Sequence, residues 1–599
     1  MKRLVSFLLM MTVLLSCAAL ADGAEYDITF SDRELAGTWD NQSAVLITGT
    51  GTSCDISGKG AAFADSALTI TGEGVYVLSG TFKDVLVTIS AGQKDKVQLV
   101  LNSASLSSST GPVIYAKEAD KVFITAAEGT ENAISDGPGY TAADGDTTLD
   151  AAIFSRTDLC INGKGSLTVN GNTRHGIVSK DDLILTGLTL TVTAASTALD
   201  GKDCVMMSGV SAAVTAGTNG IRSDNAEDEG RGFVYIQDST LSITAGTDGI
   251  QAERLLRADN AILTIVTGEG SAATSAKQSS SMGRGGMFGR FPVASTGSEG
   301  SWKGLKAGEA ILLNGGAYTI DSQDDCIHSN GDLTITDGLF TLSSGDDGIH
   351  ADDEVLISGG SILISKSYEG IEASKITISG GTIDITSSDD GLNGAGGNDG
   401  SAAADRWGRG SFSRSVGEII ISGGFIHISA GGDGIDSNNS VLVSGGVTLV
   451  SCSNSSGNAA FDHDGQATVT GGILIATGGS GMAQSFDAAE NQGCMLFTLN
   501  GGPGGMNLAI VGADNRVIAS FTPEASYSSV VVTAPGLTVG NSYAVVIGAD
   551  IDGADAWGFA LDASYTGGTN IGSIEMTTLL QGGSGHGMGG FGGGGTRRH

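Results

Sequence analysis

The sequence predicts an all-β protein, a right-handed parallel β-helix of about 22 residues per coil with a small C-terminal antiparallel β unit. Two observations carry this prediction. Glycine accounts for 95 of the 599 residues and proline for only 6. Because each glycine inside a helix costs about 1 kcal/mol relative to alanine, this composition favours short strands joined by tight turns. The second observation is a strand-like repeat through the middle of the chain.

Each repeat holds two short runs with apolar residues at positions i and i+2, the period of a strand that buries one face. A glycine pair separates the runs, as Gly380 and Gly381 separate residues 376–378 from residues 383–385. A second signal is a glycine followed by isoleucine or leucine, and we call it the Gly-Ile signal. Its glycines are Gly220, Gly249, Gly304, Gly348, Gly370, Gly391 and Gly434. One repeat cannot bury its own apolar face but a stack can, so the pattern predicts a β-solenoid.

The chain divides into four predicted segments. Residues 1–21 combine a charged start, a short apolar core and an Ala19-Leu20-Ala21 cleavage site, which predicts a signal peptide and a secreted, extracellular protein. An alternative is a lipoprotein anchored through acylated Cys17. The β-helix is predicted at 22–483, with irregular early coils at 45–150 and long loops at 267–302 and 394–416. A small β unit follows at 484–580, then a disordered glycine-rich tail at 581–599.

The charge of the chain narrows the classes of partner. Acidic residues outnumber basic ones by 66 to 31, which gives a net charge of −35. This balance opposes binding to nucleic acid or to an acidic membrane surface, and it favours hard cations such as Ca²⁺. No segment after the predicted signal peptide is long and apolar enough to predict a transmembrane helix. Six scattered cysteines remain after cleavage, which favours buried thiols and leaves disulfide pairing as an alternative.

Carboxylates recur at the Gly-Ile signal. In a parallel solenoid, equivalent residues on adjacent coils lie one strand spacing apart, about 4.8 Å. At an effective dielectric constant near 20, each neighbouring pair of carboxylates would repel by about 3–4 kcal/mol. Cations between the coils would remove this cost, and oxygen-only ligands suit Ca²⁺. The predicted metal ligands are Asp324, Asp325, Asp346, Asp347, Asp352, Glu369, Glu372, Asp389, Asp390, Asn393, Asp433 and Asp436.

The same residues have a simpler interpretation. Aspartate and glycine both favour turns, so Asp-Asp-Gly is ordinary turn chemistry. That interpretation suits a single turn better than several in register. Equivalent residues on successive coils form what we call the acidic ladder. His328 and His350 lie two positions after the Gly-Ile position, and we expect them to be surface residues or members of this ladder rather than metal ligands.

Several segments resemble a known family. They are Lys121-Val122-Phe123-Ile124, Asn132-Ala133-Ile134-Ser135-Asp136-Gly137, Ala152-Ile153-Phe154-Ser155, Ile161-Asn162-Gly163-Lys164-Gly165, Gly348-Ile349-His350-Ala351-Asp352, Glu369-Gly370-Ile371-Glu372 and Asp389-Asp390-Gly391-Leu392-Asn393. The sequence looks like exported bacterial carbohydrate-binding proteins with a right-handed parallel β-helix, related to family 9 polysaccharide (pectate) lyases. The resemblance covers residues 95–480 and implies Ca²⁺ sites on the β-helix and binding of plant-cell-wall polysaccharide, acidic or cellulosic. In the related lyases an Asp-Asp-x-x-Asp run ligates Ca²⁺, and the nearest matches here end in Asn393, His350 and His328.

Three functional hypotheses follow. The first, which we favour, is a Ca²⁺-dependent carbohydrate-binding protein without catalysis. Its loop at 394–416 would contact the glycan through Arg406, Trp407, Arg409, Phe412 and Arg414. The second is a pectate-lyase-type enzyme that performs β-elimination, with Lys306 as a weak candidate for the base because it shares the position of His328 and His350. The third is a cell-surface scaffold or adhesin with structural Ca²⁺.

Overall fold

The computed structural model describes residues 26–140, 148–272, 301–395 and 417–582. Within these ranges the chain is almost entirely β, with a single five-residue helix, Asp32–Ala36. This confirms the all-β prediction. The chain forms two compact units: the described residues of Met1–Gly268, Trp302–Ala317 and Ser329–Gly331 belong to the first, and those of Glu269–Ser301, Tyr318–His328 and Asp332–His599 to the second.

The strands are short and numerous. Up to residue 307 they are Val45–Gly51, Cys54–Ser57, Ala61–Ala64, Ala67–Ile70, Gly74–Lys83, Leu86–Ser90, Lys96–Ser108, Ile114–Glu118, Lys121–Ala126, Glu131–Asp136, Ala151–Ser155, Asp158–Gly163, Ser166–Gly171, His175–Ser179, Asp182–Thr186, Thr189–Ala194, Leu199–Gly201, Cys204–Ser208, Ser211–Ala216, Ile221–Ser223, Phe233–Gln237, Thr240–Ala245, Ile250–Ala252, Leu255–Thr267 and Leu305–Ala307. Beyond residue 307 they are Ala310–Ser322, Ile327–Ser329, Asp332–Ser344, Ile349–Ile357, Ser361–Lys366, Ile371–Ile378, Thr382–Ser387, Leu392–Gly394, Glu418–Ile421, Phe425–Ala430, Ile435–Ser437, Val441–Cys452, Asp462–His463, Ala467–Gly478, Ala488–Ala489, Gly493–Gly502, Leu508–Val511, Val517–Phe521, Tyr527–Ala534, Ser542–Ile551, Tyr565–Glu575 and Leu580–Gln581.

In the first unit, most strands pair in parallel with the strand one repeat later. Leu183 lies beside Val205 and Val192 beside Val214, a separation of one sequence repeat in each case. The earliest strands depart from this pattern, since Val45–Gly51 pairs with Cys54–Ser57 in antiparallel orientation.

The second unit repeats the parallel pattern and then changes. Ile349 lies beside Ile371, and Ile362 beside Ile383. Beyond Ala488–Ala489 the pairing is mostly antiparallel. Gly493–Gly502 pairs with Tyr527–Ala534, and a separate antiparallel sheet contains Leu508–Val511, Val517–Phe521, Ser542–Ile551 and Tyr565–Glu575.

The core follows directly from the i, i+2 pattern. Ile376 and Ile378 before the glycine pair, and Ile383 and Ile385 after it, are all 0% exposed. Each such side chain contributes about 1.5–3 kcal/mol by leaving water. The repeated stack therefore supplies the burial that one repeat lacks.

The structure gives a physical reason for both glycine signals. Gly381, the second glycine of its pair, has φ of 87°, a conformation that only glycine adopts at low cost. Gly434 of the Gly-Ile signal has no room for a side chain, because a Cβ there would lie 2.1 Å from Val450 Cγ1 and 2.6 Å from the Ala460 carbonyl oxygen. The Gly-Ile signal thus marks a corner where adjacent coils approach closely.

An N-terminal segment that the sequence did not predict covers an apolar row of the first unit. The row is formed by Phe123, Cys160, Ile184, Cys204, Met206, Phe233 and Tyr235, and Tyr26, Ile28 and Phe30 pack against it. The helix Asp32–Ala36 follows, with a capping box between Ser31 and Glu34. The Glu34 carboxylate also forms an ion pair with Lys121 at 2.5 Å. This segment therefore belongs to the folded body of the first unit.

The described part of the chain contains six free cysteines, five of them buried, and no disulfide. No helix within that part is long and apolar enough to cross a membrane.

Candidate functional site

Aspartates that directly precede the Gly-Ile glycine, or Cys326 at the equivalent position, form a row that bonds to the backbone of the next coil. Asp325 Oδ1 accepts a hydrogen bond from the Asp347 N–H at 3.0 Å, and Asp347 Oδ1 accepts one from the Glu369 N–H at 3.2 Å. Asp390 Oδ1 likewise accepts from the Asp433 N–H at 2.6 Å. Each carboxylate satisfies a backbone donor that the tight corner leaves without a strand partner. The turn interpretation thus accounts for the position of these aspartates.

The first unit contains the same arrangement without an acidic ladder beside it. There Asp248 Oδ1 accepts a hydrogen bond from the Lys303 N–H at 2.9 Å. Capping of the next corner is therefore a general use of aspartate in this repeat, and it does not by itself indicate a metal.

A second row lies two positions after the glycine. The pairing registers place His350 beside Glu372, Glu372 beside Asn393, Asn393 beside Asp436 and Asp436 beside Asp462. The sequence repeat predicted this alignment. None of these side chains is needed for the corner hydrogen bonds described above, so this row requires a different explanation.

Two histidines of the ladder are buried. His328 and His350 are both 0% exposed, and their rings stack with centroids 4.7 Å apart and planes 9° apart. The expectation that they lie on the surface is wrong, because the second row enters the interior at these two coils. They are members of the ladder, as the alternative expectation had it.

His350 is surrounded by carboxylates. Its Nδ1 lies 3.3 Å from Asp347 Oδ2 and 3.2 Å from Glu372 Oε2, and its Nε2 lies 3.3 Å from Asp352 Oδ1. Burial alone would lower the pKa of His350, but the hydrogen bonds with these three carboxylates raise it well above the usual range. His328 Nδ1 meets Asp325 Oδ2 at 2.8 Å.

Two clusters of the second unit offer only oxygen ligands. Asp324, Asp325 and Asp346 bring one carboxylate oxygen each to within 4.8 Å of one another, and so do Asp433, Asp436 and Asp462. Such sets match the ligands that Ca²⁺ prefers.

The Asp433, Asp436 and Asp462 set, which we call the Asp436 cluster, consists of carboxylates that repel one another. Burial, then repulsion from Asp436, raises the pKa of Asp433 to about 7. Burial, then repulsion from Asp462, raises the pKa of Asp436 to about 6. Among the residues that the structure describes, no lysine or arginine forms an ion pair with any of the three.

A third acidic cluster, in the first unit, differs in this respect. Asp158, Asp181 and Asp182 also lie within 4.8 Å of one another through one oxygen each. However, Lys121 Nζ lies 3.7 Å from Asp158, and Arg231 lies 2.8 Å from Asp182. Lys121 and Arg231 thus compensate part of the charge of this cluster, although burial, then repulsion from Asp158, still raises the pKa of Asp181 to about 6.

The remaining predicted ligands interact with neighbouring polar side chains and have raised pKa values or hydrogen-bond partners. Asn393 Nδ2 donates to Glu369 Oε2 at 2.6 Å. Burial, then repulsion from Asp347, raises the pKa of Glu369 to about 10. Burial also raises the pKa of Asp390 to about 8. Asp389 accepts a hydrogen bond from the Tyr368 hydroxyl.

The other predicted site residues are placed differently. Arg406, Trp407, Arg409, Phe412 and Arg414 lie outside the described residues, as does Cys17. Lys306 lies on the strand Leu305–Ala307 of the first unit, in register with Gln251, and is partly exposed.

One further histidine sits between two carboxylates in the second unit. His427 Nδ1 lies 2.7 Å from Asp384 Oδ1, and its Nε2 lies 2.9 Å from Glu524 Oε1. Burial alone would lower the pKa of His427, but these two partners raise it to about 9. Each ring nitrogen here has one carboxylate at an ordinary hydrogen-bond distance.

Comparison with known proteins shows the family to which the chain belongs. A family model described as carbohydrate-binding domain-containing protein matches residues 64–348 and 346–391, more than half of the chain. A carbohydrate-binding domain-containing protein of Acetivibrio thermocellus is 36% identical over 136 residues, which are 22% of this chain and 48% of that protein. This chain thus spans about half the length of that relative. A solved structure of a polysaccharide lyase-like protein from C. thermocellum is 32% identical, with a TM-score of 0.37, and the match covers 38% of this chain and 92% of that one.

Proposed function

Because the chain belongs to the family of carbohydrate-binding domain-containing proteins, we propose that it is a secreted, non-catalytic protein that binds plant-cell-wall polysaccharide with the help of Ca²⁺. The observation that carries the calcium part is the Asp436 cluster, three converging carboxylates with which no lysine or arginine of the described residues forms an ion pair. The finer architecture, a right-handed parallel β-helix related to family 9 polysaccharide lyases, is part of the same proposal.

The residues of the Asp436 cluster fit Ca²⁺. The ion accepts six to eight oxygen ligands in flexible geometry, and three carboxylates would supply a partial shell. All three side chains are partly exposed. Water or sugar oxygens could therefore complete the shell from the solvent side, and a uronate carboxylate would be the strongest such ligand. Ca²⁺ bound here would bridge protein and acidic glycan and would supply the positive charge that this chain of net charge −35 lacks.

The test is the affinity of the secreted full chain for polygalacturonate and for a soluble cellulosic oligosaccharide. It uses metal-stripped protein with and without added Ca²⁺, measured by calorimetry. We expect polygalacturonate to bind only with Ca²⁺, and the Asp436→Asn/Asp462→Asn variant to lose about tenfold or more in affinity.

The matched control is Asp181→Asn in the compensated cluster, which should bind as the wild type does. Binding of neither glycan would overturn the proposal and favour the scaffold hypothesis. Glycan binding that ignores chelator and variant alike would remove the calcium part. A rise in ultraviolet absorbance from an unsaturated product would replace the non-catalytic part with the lyase hypothesis.

A further inference from the structure

His350 holds a set of converging donor atoms that the calcium proposal does not use. Its Nδ1 faces Asp347 Oδ2 at 3.3 Å and Glu372 Oε2 at 3.2 Å. The imidazole is 0% exposed, and the two carboxylate side chains are only 7% and 16% exposed. Three potential ligand atoms from two adjacent coils therefore meet at one shielded point.

The opposite nitrogen explains which atom of the ring is available. His350 Nε2 lies 3.3 Å from Asp352 Oδ1. A metal ion would displace the proton from Nδ1. With the Nε2 proton still donated to Asp352, the lone pair of Nδ1 points toward Asp347 and Glu372. A histidine that binds a metal commonly donates its other N–H to a carboxylate, which fixes the ring and makes the ligating nitrogen more basic.

His427 shows what a simple ion-paired histidine looks like in the same chain. Each of its nitrogens has one carboxylate, at 2.7 Å and 2.9 Å, as an imidazolium with two N–H groups requires. His350 has two carboxylates on one nitrogen, at longer distances. Those distances match the separation of about 3.3 Å expected between neighbouring ligands of a tetrahedral ion with bonds of about 2.0–2.1 Å.

We propose that Asp347, His350 and Glu372 form a binding site for a divalent transition-metal ion such as Zn²⁺, with His350 bound through Nδ1. The neighbouring coil offers further donors, since Asp325, His328 and His350 also bring one potential ligand atom each to within 4.8 Å of one another. Asp352 is a positioning residue in this site, because it acts through the ring of His350.

The chemistry of the set separates this site from the Asp436 cluster. Nitrogen and carboxylate ligands suit Zn²⁺, Co²⁺ or Ni²⁺, whereas Ca²⁺ and Mg²⁺ prefer oxygen alone. The ion would also tie the coil that carries Asp347 and His350 to the coil that carries Glu372. It would therefore stabilise the stack independently of any glycan.

The experiment loads the metal-stripped full chain with Zn²⁺ in the presence of excess Ca²⁺ and counts bound zinc after dialysis. Co²⁺ serves as a second probe, since its visible absorption bands report tetrahedral nitrogen and oxygen ligation. The main variant is Glu372→Gln, which should fold because the next coil carries an amide, Asn393, at the same ladder position. His350→Asn is the second variant.

We expect one zinc ion fewer per chain in His350→Asn than in the wild type, and zinc binding weaker by about tenfold or more in Glu372→Gln. His427→Asn is the matched control and should retain the ion. Zinc binding that is absent from the wild type, or equal in the wild type and both site variants, would overturn the proposal. Because zinc is counted without glycan, the outcome is independent of whether the protein binds calcium or polysaccharide.

Discussion

The Asp436 cluster gives a prediction in which calcium offsets the stabilising effect of one substitution. Asp433, Asp436 and Asp462 place carboxylate oxygens within 4.8 Å of one another. At that separation a pair of charges repels by about 3.5 kcal/mol at an effective dielectric constant of 20, and by about 0.9 kcal/mol in bulk water. Asp436→Asn removes two of the three repulsive pairs.

Because the three side chains are partly exposed, the lower figure is the better guide. We therefore expect Asp436→Asn to stabilise the chelator-treated protein by about 1–2 kcal/mol. In saturating Ca²⁺ this difference in stability should largely disappear. A ligand at 100 times its dissociation constant adds about 2.7 kcal/mol to the wild type, and a variant that binds tenfold more weakly gains about 1.4 kcal/mol less.

The assay is chemical denaturation followed by circular dichroism, in chelator and in excess Ca²⁺, for both proteins. Asp181→Asn is the control and should show the same change in stability under both conditions. The reasoning fails if Asp436→Asn is less stable than the wild type in chelator, or if Ca²⁺ does not stabilise the wild type.

Three further predictions test the fold and its electrostatics. Gly434→Ala should destabilise the protein by about 3 kcal/mol or more, because its Cβ would overlap Val450 and the backbone. Gly457→Ala, where the Cβ would stand in open space, should change stability by under about 1 kcal/mol. Equal denaturation midpoints for the two variants would refute the close-approach argument. Phe30→Ala should cost about 2 kcal/mol and open the N-terminal segment to protease, and unchanged proteolysis would contradict the packing described. The pKa of His427 is raised to about 9, so its ion pairs should add up to about 3 kcal/mol to the free energy of unfolding below pH 6.5. This contribution should be lost as the pH rises through 9. The wild type and His427→Gln should therefore differ in stability at pH 6 and converge at pH 10.

The repeat made much of the fold predictable. A period of about 22 residues fixes which residues become neighbours in a parallel stack. The alignment of Ile349, Ile371 and Leu392 on adjacent strands therefore follows from the sequence repeat alone. The Gly-Ile signal was equally informative, although its cause, the close approach at Gly434, needs coordinates. Sequence reasoning placed the acidic ladder correctly in register but could not assign each carboxylate to a backbone donor or to a cluster.

The two features that the sequence analysis did not predict, the buried histidines and the packed N-terminal segment, have a common physical origin. His350 alternates along its strand with the core residues Ile349 and Ala351, so a period of two places it on the opposite face and does not report that it is buried. The N-terminal segment is another example, because Tyr26 and Phe30 lie far along the chain from Phe233 and Tyr235, which they contact. The pattern Tyr26-x-Ile28-x-Phe30, followed by the Ser31 and Glu34 capping box, was the one local signal that could have revealed it.

The two acidic rows differ in what each requires. The row before the glycine is explained by hydrogen bonding, because Asp390 and Asp347 each cap the next corner through Oδ1, as Asp248 does where no ladder exists. An amide oxygen could accept the same bonds, so this role does not need charge. The second row makes no such bonds, yet it keeps carboxylates at Asp436 and Asp462 that repel each other. Capping therefore explains why aspartate precedes the glycine, and the proposed Ca²⁺ would explain why Asp436 and Asp462 follow it.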